Sequence, residues 1–121
     1  MMNIDSIELH ICKNALVDAI QTKENQIFLS ASTDESERIR ERIIELASSY
    51  GGLTLSGNPL ILPNGTTLTF LLPNSQTSAG YSGNVYVMNG LADANFSYVR
   101  DLILSWTMLK NHRVIFSSSA L

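Results

Sequence analysis

With 121 residues, 45% of them hydrophobic, a net charge of -3 and a pI near 5.2, the chain is sized for one domain with a real core. An acidic balance argues against strong nucleic-acid binding by the chain alone, because such binders carry a basic face. The single cysteine, Cys12, has no internal disulfide partner, and neither a signal peptide nor an apolar run of membrane-spanning length is present, so a reducing cytoplasm is the expected compartment.

Asp5 and Glu8 stand at capping-box spacing, and Ile7, Ile11, Cys12, Ala15, Leu16, Ala19 and Ile20 follow at helical period. That predicts a helix over about 6–22. The apolar run NQIFLSA then predicts a strand over 25–31. Ser32 with Glu35 is a second capping box, and Ile39, Ile43, Leu46, Ala47 and Tyr50 mark one face of a helix over about 33–50, stopped by Gly51 and Gly52. Arg38, Arg40 and Arg42 are interleaved with Glu35, Glu37, Glu41 and Glu45. Such alternation reads as a solvated helix face laced with ion pairs.

From Leu53 the period changes to two. Leu60 and Leu62 alternate before the turn Pro63-Asn64-Gly65, and Leu68, Phe70 and Leu72 after it. This predicts an antiparallel hairpin over 59–72, with Asn-Gly supplying positive φ angles. Residues 74–83, NSQTSAGYSG, form a polar loop expected at a rim of the sheet and mobile. Val85 to Met88 is a short apolar run that fits a buried parallel strand over 84–88. Asp93 or Asn95 can cap a helix over about 94–110 carrying Val99, Leu102, Ile103, Trp106 and Leu109, and RVIFSSS predicts a last strand over 113–118. Strands alternating with helices point to a three-layer α/β domain spanning 1–121, with 25–31, 84–88 and 113–118 as parallel core strands.

Few residues suggest chemistry on their own. His10 and His112 lack Cys, Asp or Glu at metal-ligand spacing and read as surface or capping residues. Ser117, Ser118 and Ser119 lack a Gly-x-Ser-x-Gly elbow, and neither histidine is placed to activate them. Trp106 with Met108 could anchor a ligand, but Trp106 falls in the apolar stripe of its helix, which favours the core. Asp93 and Asp101 share no short-range face and do not form a carboxylate pair.

Taken together, NQIFLSAS at 25–32, LPNGTTLTFL at 62–71, NSQTSAGYSGNVYV at 74–87 and RVIFSSS at 113–119 resemble, in order and spacing, the ATPase domain of the large terminase subunit of tailed bacteriophages. The resemblance implies a P-loop NTPase-like fold in which 84–88 is the metal-binding strand and 113–118 the strand coupling hydrolysis to DNA movement. Val114, Ile115, Phe116, Ser117, Ser118 and Ser119 then form a vestigial coupling motif or an interface. It also implies an Asp and a Glu after the metal-binding strand, one for Mg²⁺ and one orienting the attacking water. Here those positions are Met88 and Asn89. The phosphate loop would fall at or before residues 1–8, where MMNIDSIE holds neither Gly nor Lys.

The resulting expectation is a truncated, non-catalytic terminase-like protein, a prophage remnant or assembly module, with no catalytic, metal or cofactor residues. The alternative is weak nucleotide binding or hydrolysis through part of the old site. Partners expected are a second copy, through the edge at 113–121, and phage packaging proteins. With the strand before the phosphate loop lacking a counterpart, the strand at 113–118 is expected at the edge of the sheet.

Overall fold

The computed structural model describes residues 4–73, 81–88, 96–107 and 114–116. Along the chain run α1 (Ile4–Thr22), β1 (Gln26–Leu29), α2 (Thr33–Gly51), β2 (Leu60–Ile61), β3 (Thr67–Leu71), β4 (Asn84–Val87), α3 (Phe96–Thr107) and β5 (Val114–Phe116). The five strands form one sheet in the order β2-β3-β1-β4-β5. β1 pairs in parallel with both β3 and β4, and β4 pairs in parallel with β5. Only β2 is antiparallel, against β3. The predicted hairpin is present, but its second arm is a parallel member of the core sheet beside β1, a placement that local alternation cannot specify. As expected, the three strands 26–29, 84–87 and 114–116 are contiguous, and among the described residues β5 lies at the edge.

Alternation along the strands separates two apolar layers, because successive side chains leave a strand on opposite faces. Phe28, Phe70, Tyr86 and Met88 join Ile11, Cys12, Ala15, Leu16 and Ala19 of α1 and Ile39, Ile43, Leu46 and Ala47 of α2. Ile27, Leu29, Val85 and Val87 instead meet Ile103 and Trp106 of α3. The sheet is therefore the middle of three layers. Its first face carries a run of rings across three strands: Phe28 stacks on Phe70 at 5.3 Å and on Tyr86 at 4.7 Å, which the register Phe28↔Phe70 and Phe28↔Tyr86 requires.

Element ends follow their capping chemistry. The Ser32 hydroxyl accepts from the Glu35 N–H at 3.1 Å, while the Glu35 carboxylate reaches past Ser32 to accept from the Ala31 N–H at 2.9 Å. The Ser30 N–H still donates to Leu71 O of β3, but the Ala31 N–H is taken by Glu35, so the pairing does not reach 31. Gly52 ends α2 at φ 63°, with its N–H on Ser48 O and the Leu53 N–H on Ala47 O. In the hairpin loop only Gly65 has positive φ (87°), so Asn64 does not adopt the expected conformation. The Asn64 side chain instead accepts from the Thr66 N–H and donates to Ala19 O, tying the loop to the last turn of α1.

The expected capping box at Asp5 and Glu8 is also overturned. α1 already runs from Ile4, and Glu8 is only 3% exposed, turned toward α2. Arg38 grips its carboxylate with two hydrogen bonds of 3.1 and 2.9 Å, and the Arg42 Nε lies 3.6 Å away. Two of the three arginines read as solvent-facing thus tie α2 to α1. Arg40 pairs with Glu37 and donates to Gly57 O.

Candidate functional site

In a parallel sheet, loops at the carboxyl ends of the strands form the ligand-binding rim. Here that rim is built from Ser30 after β1, the amino end of α2 and Met88 after β4. The Met88 N–H donates to Leu29 O at 2.9 Å, which carries the pairing with β1 one residue past the end of β4. The Met88 side chain is 1% exposed and lies in the apolar cluster with Tyr86, where Ile115 packs from the neighbouring edge. Asn89 lies outside the described residues, as do Ser117, Ser118 and Ser119, His112, Met108, Asp93 and the loop residues 74–80.

What the described part of the rim presents is weakly suited to a phosphate. The Glu35 N–H in the first turn of α2 is taken by the Ser32 hydroxyl, the Glu35 carboxylate turns back to the Ala31 N–H, and Asp34 adds a second acid to that turn. The Ser30 hydroxyl is fully buried and has no hydrogen-bond partner among the described residues. No cluster of three or more His, Cys, Asp or Glu that could hold a metal ion occurs among the described residues. His10 is on the surface of α1, bonded to Asn14 one turn on.

The polar chemistry that does converge lies at the opposite, amino end of the strands. The Asp18 carboxylate accepts from Gln26 and from Asn84, each at 2.9 Å, and the Tyr86 hydroxyl donates to Gln26 Oε1 at 2.6 Å. Gln26 also donates to Glu24 O at 2.7 Å. Gln26, Asn84 and Tyr86 are buried, so these bonds cover polar groups that water cannot reach. Sequence reasoning missed this group because directly bonded members are as far as 66 positions apart. The available signal was an amide at the first position of two otherwise apolar strands.

Just before β4, Tyr81 meets Trp106 edge-on at 6.3 Å and the Gly83 N–H donates to Trp106 O. Trp106 is fully buried against the sheet and is a core residue, as its place in the stripe predicts. The described end of the 74–83 loop is thus at the strand-entry rim, with Gly83 itself buried.

The family described as terminase large subunit, T4likevirus-type, N-terminal, matches residues 10–119. The chain belongs to this family. It is 51% identical over 72 residues to a probable terminase ATPase subunit of Haemophilus phage HP1, an overlap covering 60% of this chain and 12% of that protein. It is 38% identical over 92 residues to the terminase ATPase subunit of Escherichia phage P2, covering 75% of this chain and 15% of that one. The terminase-like chain therefore spans a small part of the length of these relatives. No solved structure matches it. No described helix is long and apolar enough to cross a membrane.

Proposed function

We propose that this chain is a terminase-like module of prophage origin without ATPase activity of its own, acting in the cytoplasm by association with itself or with phage packaging proteins. The observation that carries the reading is Met88, a thioether packed into the apolar core where the resemblance calls for the carboxylate that binds Mg²⁺. Mg²⁺ takes hard oxygen ligands, and a buried sulfur offers none. The neighbouring Asn89 carries an amide, which accepts no proton from an attacking water near neutral pH.

The test is ATP turnover and thermal unfolding with and without millimolar Mg-ATP. No turnover above background and no rise in Tm are expected. A ligand present at about a hundredfold its Kd would add about 2.7 kcal/mol of stability, a change easily read. Turnover that a substitution within 74–90 abolishes would instead favour residual nucleotide chemistry.

Association is supported by β5. Among the described residues this strand pairs with β4 alone, and Val114 and Ile115 are half-buried. An edge of this kind offers unpaired N–H and C=O groups to another strand. A second copy related by a two-fold axis would pair antiparallel with it. Ile115→Lys should then lower the oligomeric state in sedimentation while leaving the helical circular dichroism unchanged; an unchanged oligomer counts against this contact.

A further inference from the structure

The layer formed by α1 and α2 presents to solvent a surface that the core does not explain. A concavity of about 560 Å³ is lined along α2 by Arg38, Glu41, Arg42 and Glu45, with Leu9 of α1 beside them and Tyr50 at one end. Leu9 is 42% exposed and Tyr50 74%. The four charged positions are spaced i, i+3, i+4 and i+7, so they form one stripe on one face of a single helix.

We propose that this stripe is a self-association face, on which α2 of a second copy packs antiparallel about a two-fold axis passing between Glu41 and Arg42. Charge complementarity favours this arrangement. Antiparallel pairing about that axis sets Arg38 opposite Glu45 of the second copy and Glu41 opposite its Arg42, each contact occurring twice by symmetry. Every charge on the stripe then meets its opposite. A parallel arrangement would set like on like, which is destabilising. Leu9 lines the same concavity and would add apolar surface to the contact.

Glu8 makes the face more than a chance alternation of signs. Its buried carboxylate holds Arg38 from beneath through both Nε and Nη2 and lies within ion-pair distance of Arg42. The guanidiniums are therefore positioned before any partner arrives, which reduces the side-chain entropy lost on docking. Arg38 nonetheless keeps 49% of its side chain exposed, and Glu41 and Glu45 are exposed. Rim ion pairs are individually weak and screened by salt, so the contact is a modest, salt-sensitive one, its direction set by the charges.

This contact is independent of β5, and the experiment separates the two. The full chain carrying Ile115→Lys, with the β5 contact disabled, is sedimented at micromolar concentration in low salt, alone and with Glu41→Lys and Glu45→Lys added. A dimer is expected for Ile115→Lys, and the added lysines should weaken it at least tenfold, as should raising the salt toward molar levels. A monomer before the lysines are added, or a dimer indifferent to them, overturns the proposal. Should Ile115→Lys fail to fold, Glu41→Cys in the otherwise native chain serves in its place. A short bifunctional maleimide should join two copies through position 41, since Cys12 is fully buried and does not compete. Failure to cross-link at concentrations where the chain is not monomeric is equally adverse.

Discussion

Replacing Gly83 with alanine puts the entry to β4 under direct test. A Cβ built there would lie 2.5 Å from the carbonyl oxygen of Asn25, 2.8 Å from its carbonyl carbon and 3.1 Å from its Cβ. The obstacle is backbone, so no side-chain rotation relieves it. Nor is the backbone free to withdraw, because Asn25 O accepts the Asn84 N–H at 2.9 Å and Asn25 Oδ1 accepts the Thr67 N–H at 3.1 Å. Relief therefore means separating β4 from the residues that lead into β1. Overpacking of this kind costs about 1–3 kcal/mol, and weakening the Asn25–Asn84 bond adds about 1 kcal/mol. With each kcal/mol worth about 4 °C in a domain of this size, Gly83→Ala should lower Tm by about 10 °C and reduce the urea midpoint without changing m. Gly52→Ala is the informative comparison. Nothing lies within 4 Å of its added Cβ, but its φ of 63° is left-handed, so about 1 kcal/mol is expected from backbone strain alone. A Gly83→Ala protein within ~0.5 kcal/mol of the parent would refute the packing argument.

Burial, with the neighbouring Glu8 carboxylate next in effect, pushes the Cys12 thiol up to about 12 from its ordinary 9.0, against the opposing pull of Arg42 and Arg38. Because the folded value is the higher one, Cys12 leaves stability level below about pH 9 and removes roughly 1.4 kcal/mol per pH unit above it, until the folded thiol ionises. Urea midpoints at alkaline pH should show this slope and lose it in Cys12→Ala. Tyr86→Phe removes the donor at 2.6 Å from Gln26 and leaves a buried acceptor unmet, a loss of about 1–3 kcal/mol that a urea titration would detect.

The helices were legible because their signals are local. The stripe through Ile39, Ile43, Leu46 and Ala47 fixed the buried face of α2, and Ser32 and Gly52 marked its ends. Strand presence was equally local, as the runs around Phe28, Phe70 and Tyr86 show. The parallel direction and contiguity of 26–29, 84–87 and 114–116 followed from the family resemblance, but the place of β3 did not, since the sequence between Leu60 and Leu71 is as compatible with a protruding hairpin as with β3 lying parallel to β1. The Asp18–Gln26–Asn84–Tyr86 network was hidden for the same reason, as was the turning of Glu8 toward Arg38. Each depends on a tertiary approach that places distant polar atoms together, and spacing carries no record of it. At the candidate site the sequence named Met88, and the structure adds that its side chain is core.

That burial leads to a prediction about restoring the acid. In Met88→Asp a carboxyl replaces a thioether that is 1% exposed among Tyr86, Ile115 and the α1 and α2 side chains of the same cluster. Two losses follow. The apolar burial of methionine, about 1.5–3 kcal/mol, disappears, and the carboxylate must either remain charged in apolar surroundings or take up a proton. Desolvation raises its folded pKa above the unfolded value near 3.9, and a tenfold weaker acid in the folded state costs about 1.4 kcal/mol at neutral pH. The sign follows from linkage: the variant loses least stability near or below the unfolded pKa, and the deficit grows as pH rises toward the folded pKa. At pH 7 the total should reach about 3–4 kcal/mol, against a smaller deficit near pH 5. Urea unfolding of parent and variant at both pH values measures it directly. A variant as stable as the parent at pH 7, and further stabilised by millimolar Mg²⁺, would mean that the surroundings of position 88 still supply what a metal-binding carboxylate needs. A large, pH-dependent loss that Mg²⁺ does not relieve would mean that position 88 is a core position whose surroundings do not support a metal-binding carboxylate.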